Sequence, residues 1–221
     1  MKHLLFIVFL IVGQVVLGQS FEGEIRYSIE YLEIPQQLAS FKKSLPTEEV
    51  LHIKGDKVRH EGATAFGARF VKVKEFDEND MFILWDHAGN LLHIDLTAEE
   101  FKADQNGGPD VYLSPSAESK MIFGYDCSKA TFTYPGDSRS NYYVFYTTSI
   151  NWKALNLIKG VPGLPLEFVY NNQGMVMRVT ATSIKSIPQK DAYFQVPSNY
   201  TTMNLSEFNL YLNELGSDYV D

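Results

Sequence analysis

The stretch MIFGYDCSKATFTY, residues 121–134, decides the fold, because its apolar and polar residues alternate as they do in a β-strand. Three later runs have the same character, at residues 142–146, 166–170 and 175–184. We predict that the four runs form adjacent antiparallel strands against which the rest of the chain packs. None of them carries a catalytic signature, so the sequence says more about the fold than about a reaction.

The N-terminal half supplies further strands. Residues 21–31, FEGEIRYSIEY, alternate without a break and predict a half-buried strand with Ile25, Tyr27 and Ile29 on its inner face. Residues 69–76, 81–85 and 91–96 predict three more strands. The run 81–85 is apolar on both faces, which is typical of a central strand covered from both sides.

Residues 50–61, VLHIKGDKVRHE, predict a hairpin that turns on Gly55 and Asp56, because glycine suits the tight turns of two-residue hairpins. This turn pairs Ile53 with Val58, His52 with Arg59 and Leu51 with His60. One face of the hairpin is then apolar except for His60. The other face is basic, and we expect it to be solvated surface; it consists of His52, Lys54, Lys57 and Arg59.

The remaining segments predict short helices and loops. Helical spacing of apolar residues predicts amphipathic helices over residues 36–45 and 204–215, the second capped by Asn204 or Ser206. We expect residues 102–109 to be a loop and the serine-rich chain around Pro115 to be irregular. Residues 151–165, NWKALNLIKGVPGLP, predict an apolar crossover loop that covers the sheet with Trp152 and Leu155 pointing inward and could act as a gate.

These elements favour a mainly β fold, with eight to eleven strands and a few short helices in a curved antiparallel sheet or open barrel. We expect a signal peptide over residues 1–18, the β domain over residues 19–200 and a C-terminal helical tail over residues 201–221 that packs on it. On the inner surface we expect a continuous lining formed with the strand at residues 142–146 by Ile25, Tyr27, Ile29, Ile53 and Val58.

The N-terminus predicts export. Lys2 and His3 precede an apolar run over residues 4–12, and Gly18 ends a plausible cleavage sequence. No cysteine follows the cut, so we expect a soluble periplasmic or extracellular protein without a lipoprotein anchor and without a transmembrane segment in the mature chain. The net charge of −8 makes nucleic acid and anionic bilayers poor partners.

The residues offer little chemistry. Cys127 is the only cysteine, and we interpret it as a small buried hydrophobe; a reactive thiol would need a neighbour such as Lys129. We expect no catalytic residues, no metal and no cofactor. The alternatives are a metal held by His93 and Asp95 with Asp86 or His87, and a catalytic role for His60, which we interpret as a satisfied core histidine.

Three motifs together resemble a known family. FGYDCSKA at residues 123–130, YVFYT at residues 143–147 and GVPGLPL at residues 160–166 are similar to the GLPGLI family and to a closely similar family of unknown function, both of secreted Bacteroidota proteins. The segments FEGEIRYSIEY and HIKGDKVRHEG agree with it, whereas VPGLPL departs from the GLPGLI string. The resemblance implies a half-open antiparallel barrel, similar to periplasmic lipoprotein carriers, with helices against its concave side. It implies no known activity.

Three functions remain open. The first is a non-enzymatic protein that holds an apolar or amphipathic ligand, such as a lipid or a lipoprotein acyl chain, in the concave sheet. The residues that we expect to contact such a ligand are Tyr27, Ile53, His60, Trp152 and Leu155. The second is a structural or interaction module that binds an envelope protein through a sheet edge. The third is a hydrolase. A continuous apolar tunnel supports the first, a filled core with exposed edges the second, and His60 beside an acid the third.

Overall fold

The computed structural model describes residues 21–106, 110–137, 142–150, 158–172 and 174–217. The elements of these ranges follow in chain order. They are β1 (Glu22–Glu33), β2 (Glu48–Lys54), β3 (Lys57–Ala63), β4 (Arg69–Glu75), β5 (Asp80–His87), β6 (Asn90–Leu96), α1 (Ala98–Asn106), β7 (Tyr112–Ile122), β8 (Tyr125–Thr133), β9 (Tyr142–Thr147), β10 (Leu164–Asn172), β11 (Met175–Ser186), β12 (Thr201–Asn204) and α2 (Leu205–Ser217).

The strands of the described ranges form a single curved, open sheet in the order β12-β6-β5-β4-β3-β2-β1-β11-β10-β9-β8-β7. The mainly β fold class is therefore confirmed. The predicted adjacency is also confirmed, because β8, β9, β10 and β11 pair with one another in that order and in antiparallel register. Only the pairing of β12 with β6 is parallel among the described strands.

Strand β1 lies at the centre of the sheet, between β2 and β11. Its alternation is as predicted, since Ile25, Tyr27 and Ile29 are buried while Arg26 and Glu30 are exposed. We call the side of Ile25 the inner face and the side of Arg26 the outer face. Four of the five predicted inner residues share the largest apolar cluster with Tyr142 and Val144 of β9. Val58 is buried but belongs to no described cluster.

The β2–β3 hairpin has the predicted register, with Ile53 opposite Val58 and His52 opposite Arg59. The expectation that its basic outer face is solvated is wrong. His52 is only 7% exposed. Residues 187–194, which we call the strap, leave β11 and cross this face, and the ring of Tyr193 packs edge-on against His52 with centroids 5.2 Å apart. The basic side chains hold the strap through its polar groups, which a sequence pattern cannot reveal.

Strand β5 is covered on both sides, as predicted. On the inner face Met81 packs with Phe101 of α1 and Phe208 of α2. On the outer face Phe82 and Leu84 pack with Phe194 at the end of the strap. The two helices and the strap therefore enclose the β4–β6 part of the sheet between them.

Residues 121–134 are not one strand but a hairpin. Phe123 and Gly124 form its two-residue turn with φ angles of 50° and 82°, and Ile122 pairs with Tyr125 across it. The chain around Pro115, expected to be irregular, is the edge strand β7. Its register shifts between Pro115 and Ser119, which accommodates a residue that cannot donate a ladder hydrogen bond.

Two further expectations need correction, one for a helix and one for a loop. Residues 36–41 form a 3₁₀ helix, Gln36–Phe41, and not an amphipathic α-helix. Helix α1 was not predicted, and its second half, up to Asn106, lies where a loop was expected from residue 102. The C-terminal helix is confirmed, and Asn204 caps it: its Oδ1 accepts a hydrogen bond from the Glu207 amide at 2.9 Å, while Glu207 Oε2 accepts one from the Asn204 amide at 2.9 Å.

Candidate ligand-binding cavity

A cavity of about 590 Å³ opens at one end of the sheet. At this end β1 and β8 begin and β9 and β11 finish. The residues that line it come from these strand ends and from the segments that follow β9 and β11. They are Phe21, Glu22, Tyr125, Ser149, Ile150, Ser186, Ile187 and Pro188. The volume lies within the range of small-molecule sites, about 300–1,000 Å³.

The cavity has a mixed lining, in which polar surface exceeds apolar surface. Ile150 is buried in the largest cluster, and the rings of Phe21 and Tyr125 pack against that cluster. Ser149, Ser186 and Ile187 are exposed, Ile187 by 44% of its surface. Such a lining can hold an apolar group inside while hydroxyl groups meet a polar group at the opening.

The strap forms one wall of the cavity and is anchored by polar contacts. The backbone N–H of Gln189 donates to Glu22 Oε1 at 2.6 Å, and the side-chain Oε1 of Gln189 lies 2.9 Å from His52 Nδ1. Lys54 Nζ donates to the Gln189 carbonyl at 3.1 Å and to Asp191 at 2.6 Å. Gln189 is 6% exposed, so these contacts satisfy groups that burial has removed from water.

The carboxylate of Glu61 supports these anchors, because it contacts both Arg59 and His52. Glu61 Oε1 accepts from Arg59 Nε at 2.6 Å and lies 3.4 Å from His52 Nε2. The hydrogen bonds from His52 and Arg59 lower the pKa of Glu61 to about 2, against the opposing effect of burial. Arg59 in turn donates to the carbonyl oxygen of Tyr193 in the strap at 2.9 Å. The wall is thus held to β2 and β3 by an ionic network.

Of the five residues expected at a ligand site, the three described ones, Tyr27, Ile53 and His60, do not line this cavity. Tyr27 and Ile53 are 3% and 2% exposed and lie in the largest apolar cluster, so their side chains fill the core. Trp152 and Leu155 lie outside the described residues, as do residues 151–157 of the predicted gate. In its described part, residues 158–163 belong to no helix or strand and Ile158 is buried, whereas Leu164 and Pro165 begin β10 and are not part of a loop. The role of the five residues in ligand binding stays a prediction.

His60 lies elsewhere, beside an acid. Its Nε2 is 3.1 Å from Glu49 Oε2, and its ring meets that of Phe70 edge-on with centroids 5.7 Å apart.

On the inner face His60 stands next to Lys72, which approaches Asp104 of α1 at 3.8 Å. Burial, with Glu49 as the next cause, raises the pKa of Tyr31 and of Tyr170. A polar band therefore separates the two inner apolar clusters, and those described residues form no continuous apolar tunnel.

The remaining candidates for chemistry are Cys127, which is buried in the core, and His93, which contacts a threonine hydroxyl. Cys127 is buried and unpaired as predicted, and burial raises the pKa of its thiol. His93 Nδ1 lies 3.0 Å from the Thr202 hydroxyl of β12, and burial lowers its pKa. Within the described ranges no group of three or more His, Cys, Asp and Glu side chains is arranged to hold a metal. None of the helices in these ranges is both long and apolar enough to span a bilayer.

The sequence did not reveal the cavity-lining residues after β9 and β11. Ser149, Ser186 and Pro188 form no motif, and only the curvature of the sheet brings them near Tyr125. The one available signal was position, since all of them lie two to four residues beyond the end of a predicted strand. Segments at the ends of strands commonly carry binding residues.

No family model and no curated protein sequence matches the chain. Membership of the GLPGLI family therefore stays a prediction. Among solved structures, PNGF-II in its C2 crystal form matches with 18% identity and a TM-score of 0.53, over 86% of this chain and 32% of that chain. This likeness concerns the fold alone, and the protein spans about a third of the length of PNGF-II.

Two further matches are more distant. MucB matches with 14% identity and a TM-score of 0.36, over 82% of this chain and 59% of that chain. A LolA superfamily protein from Nitrosomonas europaea matches with 10% identity and a TM-score of 0.27, over 80% of this chain and 91% of that chain.

Proposed function

We propose that the protein is an exported, non-enzymatic binding protein that holds an apolar or amphipathic ligand in the cavity between β1, β8 and β11. The observation that carries the proposal is the cavity of about 590 Å³, whose mixed lining combines apolar side chains such as Phe21 and Ile187 with the hydroxyl groups of Ser149 and Ser186. The signal-like N-terminus supports an exported, periplasmic or extracellular location.

The polar band on the inner face limits the ligand. His60 and Lys72 interrupt the apolar surface between the two inner clusters, so a long acyl chain stretched across the whole sheet would have to desolvate them. A ligand held at the end of the sheet avoids that penalty. Its apolar part lies against Phe21 and Ile187, and its polar part meets Ser149 and Ser186 at the mouth. A lipid or lipoprotein acyl chain fits this description if only part of it enters.

A cavity-filling variant tests the proposal. Ser149→Trp places an indole at the mouth, whereas Ser114→Trp places one on the exposed edge strand β7. We expect a fluorescent acyl-chain probe to bind the wild-type mature protein and the Ser114→Trp variant alike, and to bind Ser149→Trp at least tenfold more weakly. Native mass spectrometry of the purified mature protein should show a co-purifying small molecule. Equal probe affinity for both variants, with no bound molecule, would sink the proposal.

A sheet-edge interaction module is less well supported by the described edge β7. This strand carries Pro115, a register shift and the charged side chains of Glu118 and Lys120, all of which hinder the addition of another strand. The backbone of this strand therefore does not favour the second inference from the sequence, an envelope partner bound through an edge.

One observation favours a second candidate function, a hydrolase. A histidine held by a carboxylate can act as a general base, and His60 and Glu49 have that geometry. We rank it second because the described neighbours of His60, the ring of Phe70 and the side chain of Lys72, include no hydroxyl or thiol nucleophile. Hydrolysis of nitrophenyl esters that disappears in His60→Gln but persists in Ser149→Trp would favour the hydrolase over the binding protein.

A further inference from the structure

The tip of the β7–β8 hairpin presents two large apolar side chains to solvent. Met121 is 60% exposed and Phe123 is 54% exposed. The neighbouring residues hold the tip in place, because Ile122 and Tyr125 pack against the largest apolar cluster. The exposed residues are therefore carried on a fixed support and are not part of a loose loop.

Phe123 occupies a backbone position that does not suit it. Its φ of 50° lies in the left-handed region, where bulky side chains are strained and where asparagine or glycine is usual in a two-residue hairpin turn. Asparagine at this position would satisfy the turn with less strain. Strained residues of this kind cluster at functional sites, so the phenylalanine points to a use outside the fold.

The tip adjoins a strand end that lines the cavity. Tyr125, two residues after Phe123, lines the cavity, and the exposed Ile187 lines it as well. The polypeptide segments that carry exposed apolar side chains therefore flank the opening. An apolar ligand that leaves or enters here passes next to Phe123.

We propose that this rim docks on the surface of an uncharged lipid bilayer, with Phe123 and Met121 inserted among the lipids, so that the cavity exchanges its ligand with the membrane. The inference rests on the proposed binding function. A docked mouth spares the ligand a passage through water, which is unfavourable in proportion to its apolar area.

A bilayer fits this surface better than a protein partner does. Specific protein interfaces bury on the order of 1,200–2,000 Å², which a few exposed side chains do not supply. A bilayer interface accepts individual aromatic and apolar side chains. The net charge of −8 favours an uncharged surface over an anionic one.

Vesicle flotation tests this inference on the full mature chain. We expect wild-type protein to bind phosphatidylcholine vesicles. We expect Phe123→Asn to bind them roughly tenfold or more weakly, because it lacks the aromatic side chain that the bilayer would bury. Phe123→Asn should keep or raise the melting temperature, since asparagine tolerates the positive φ. Tyr112→Asn is the matched control, because Tyr112 is 68% exposed at the other end of β7. Its vesicle binding should equal that of wild type.

Two further measurements separate the inference from the proposed function. Met121→Ser removes the second apolar side chain without touching the turn, and it should also weaken vesicle binding. Binding of a water-soluble acyl probe, measured without vesicles, should be unchanged in Phe123→Asn. Probe binding without vesicle binding, or equal vesicle binding by wild type and Phe123→Asn, overturns the docking inference alone. Failure of the wild type, Phe123→Asn and Met121→Ser alike to bind the probe overturns the proposed function itself.

Discussion

The hydroxyl of Tyr27 in β1 donates a hydrogen bond of 2.9 Å to the carbonyl oxygen of Pro165 in β10, across the intervening strand β11. The ladder between β9 and β10 shifts its register immediately after Pro165. The contact thus ties the first strand to an irregular point of a strand that it does not neighbour. Burial, with Glu49 as the next cause, raises the pKa of Tyr27 far above its usual range, so the hydroxyl stays protonated and able to donate.

Tyr27→Phe should lower the free energy of unfolding by about 1–3 kcal/mol, because it leaves a buried carbonyl without its donor. Denaturant unfolding of the two proteins measures the difference. Tyr31→Phe is a suitable comparison, since Tyr31 also donates to a backbone carbonyl, that of Pro46, but is only half-buried. A larger effect at Tyr31 than at Tyr27 would contradict this account of burial.

Glu61→Gln should alter the acid limb of the stability curve. The pKa of Glu61 is lowered from 4.5 to about 2 by His52 and Arg59, so its contribution to stability is present above pH 4.5 and is lost as the pH falls towards 2. The wild type should therefore lose more stability than the variant over this interval. Unfolding midpoints between pH 2.5 and 5.5 test the difference, with Glu118→Gln on the exposed edge strand as control.

The same variant should loosen the strap. Glu61 holds Arg59, and Arg59 holds the Tyr193 carbonyl. Hydrogen exchange of the amides in residues 189–194 should accelerate in Glu61→Gln at neutral pH, while exchange in β10 stays as in wild type. Unchanged exchange in the strap would show that the ionic network is not what holds it.

Gly163→Ala should destabilise the protein. A Cβ at this position would lie 2.3 Å from the Thr147 carbonyl oxygen, which is backbone and cannot rotate away. Overpacking of this kind costs about 1–3 kcal/mol. Thermal melting of the purified variant measures it, and a melting temperature equal to that of wild type would mean that the start of β10 can shift without loss.

Cys127 should react slowly with thiol reagents in the folded protein. It is 0% exposed and its pKa is raised by burial, so neither access nor thiolate formation favours reaction. Cys127→Ala should cost on the order of 1 kcal/mol without loss of probe binding. Rapid labelling under native conditions would show that the strand opens or that the thiol has a function.

Local patterns predicted the parts of the fold that depend on local chemistry. The register of the β2–β3 hairpin follows from Gly55 and Asp56, and the alternation of β1 follows from its buried inner face. The hairpin at residues 121–134 was missed because Phe123 occupies a turn position where phenylalanine is unusual. Strand β7 was missed because Pro115 and the serines suggest a loop, although an edge strand tolerates them at a register shift.

The site depended on contacts that no local pattern contains. Tyr27 and Ile53 were chosen because they face inward, but inward residues at the centre of a well-packed sheet become core and not lining. The cavity arises where the sheet curves and four strand ends converge. The burial of His52 depends on the strap, which is more than 130 residues away in the sequence, as the 137-residue separation of His52 and Gln189 shows.

The central place of β1 has a consequence for the order in which the chain can fold. One edge of β1 pairs with β2, which follows it closely, but the other edge waits for β11; the hydrogen bond from Ser186 to the Glu22 carbonyl spans 164 residues. Until β11 has been synthesised, an early strand keeps an unpaired edge, and loop closure over such a distance slows folding. Two meanders, β2 to β6 and β7 to β11, can each form from neighbouring sequence, whereas the joint between them forms last. A nascent chain released before β11 is made would therefore expose the unpaired edge of β1, which can pair with strands of other chains.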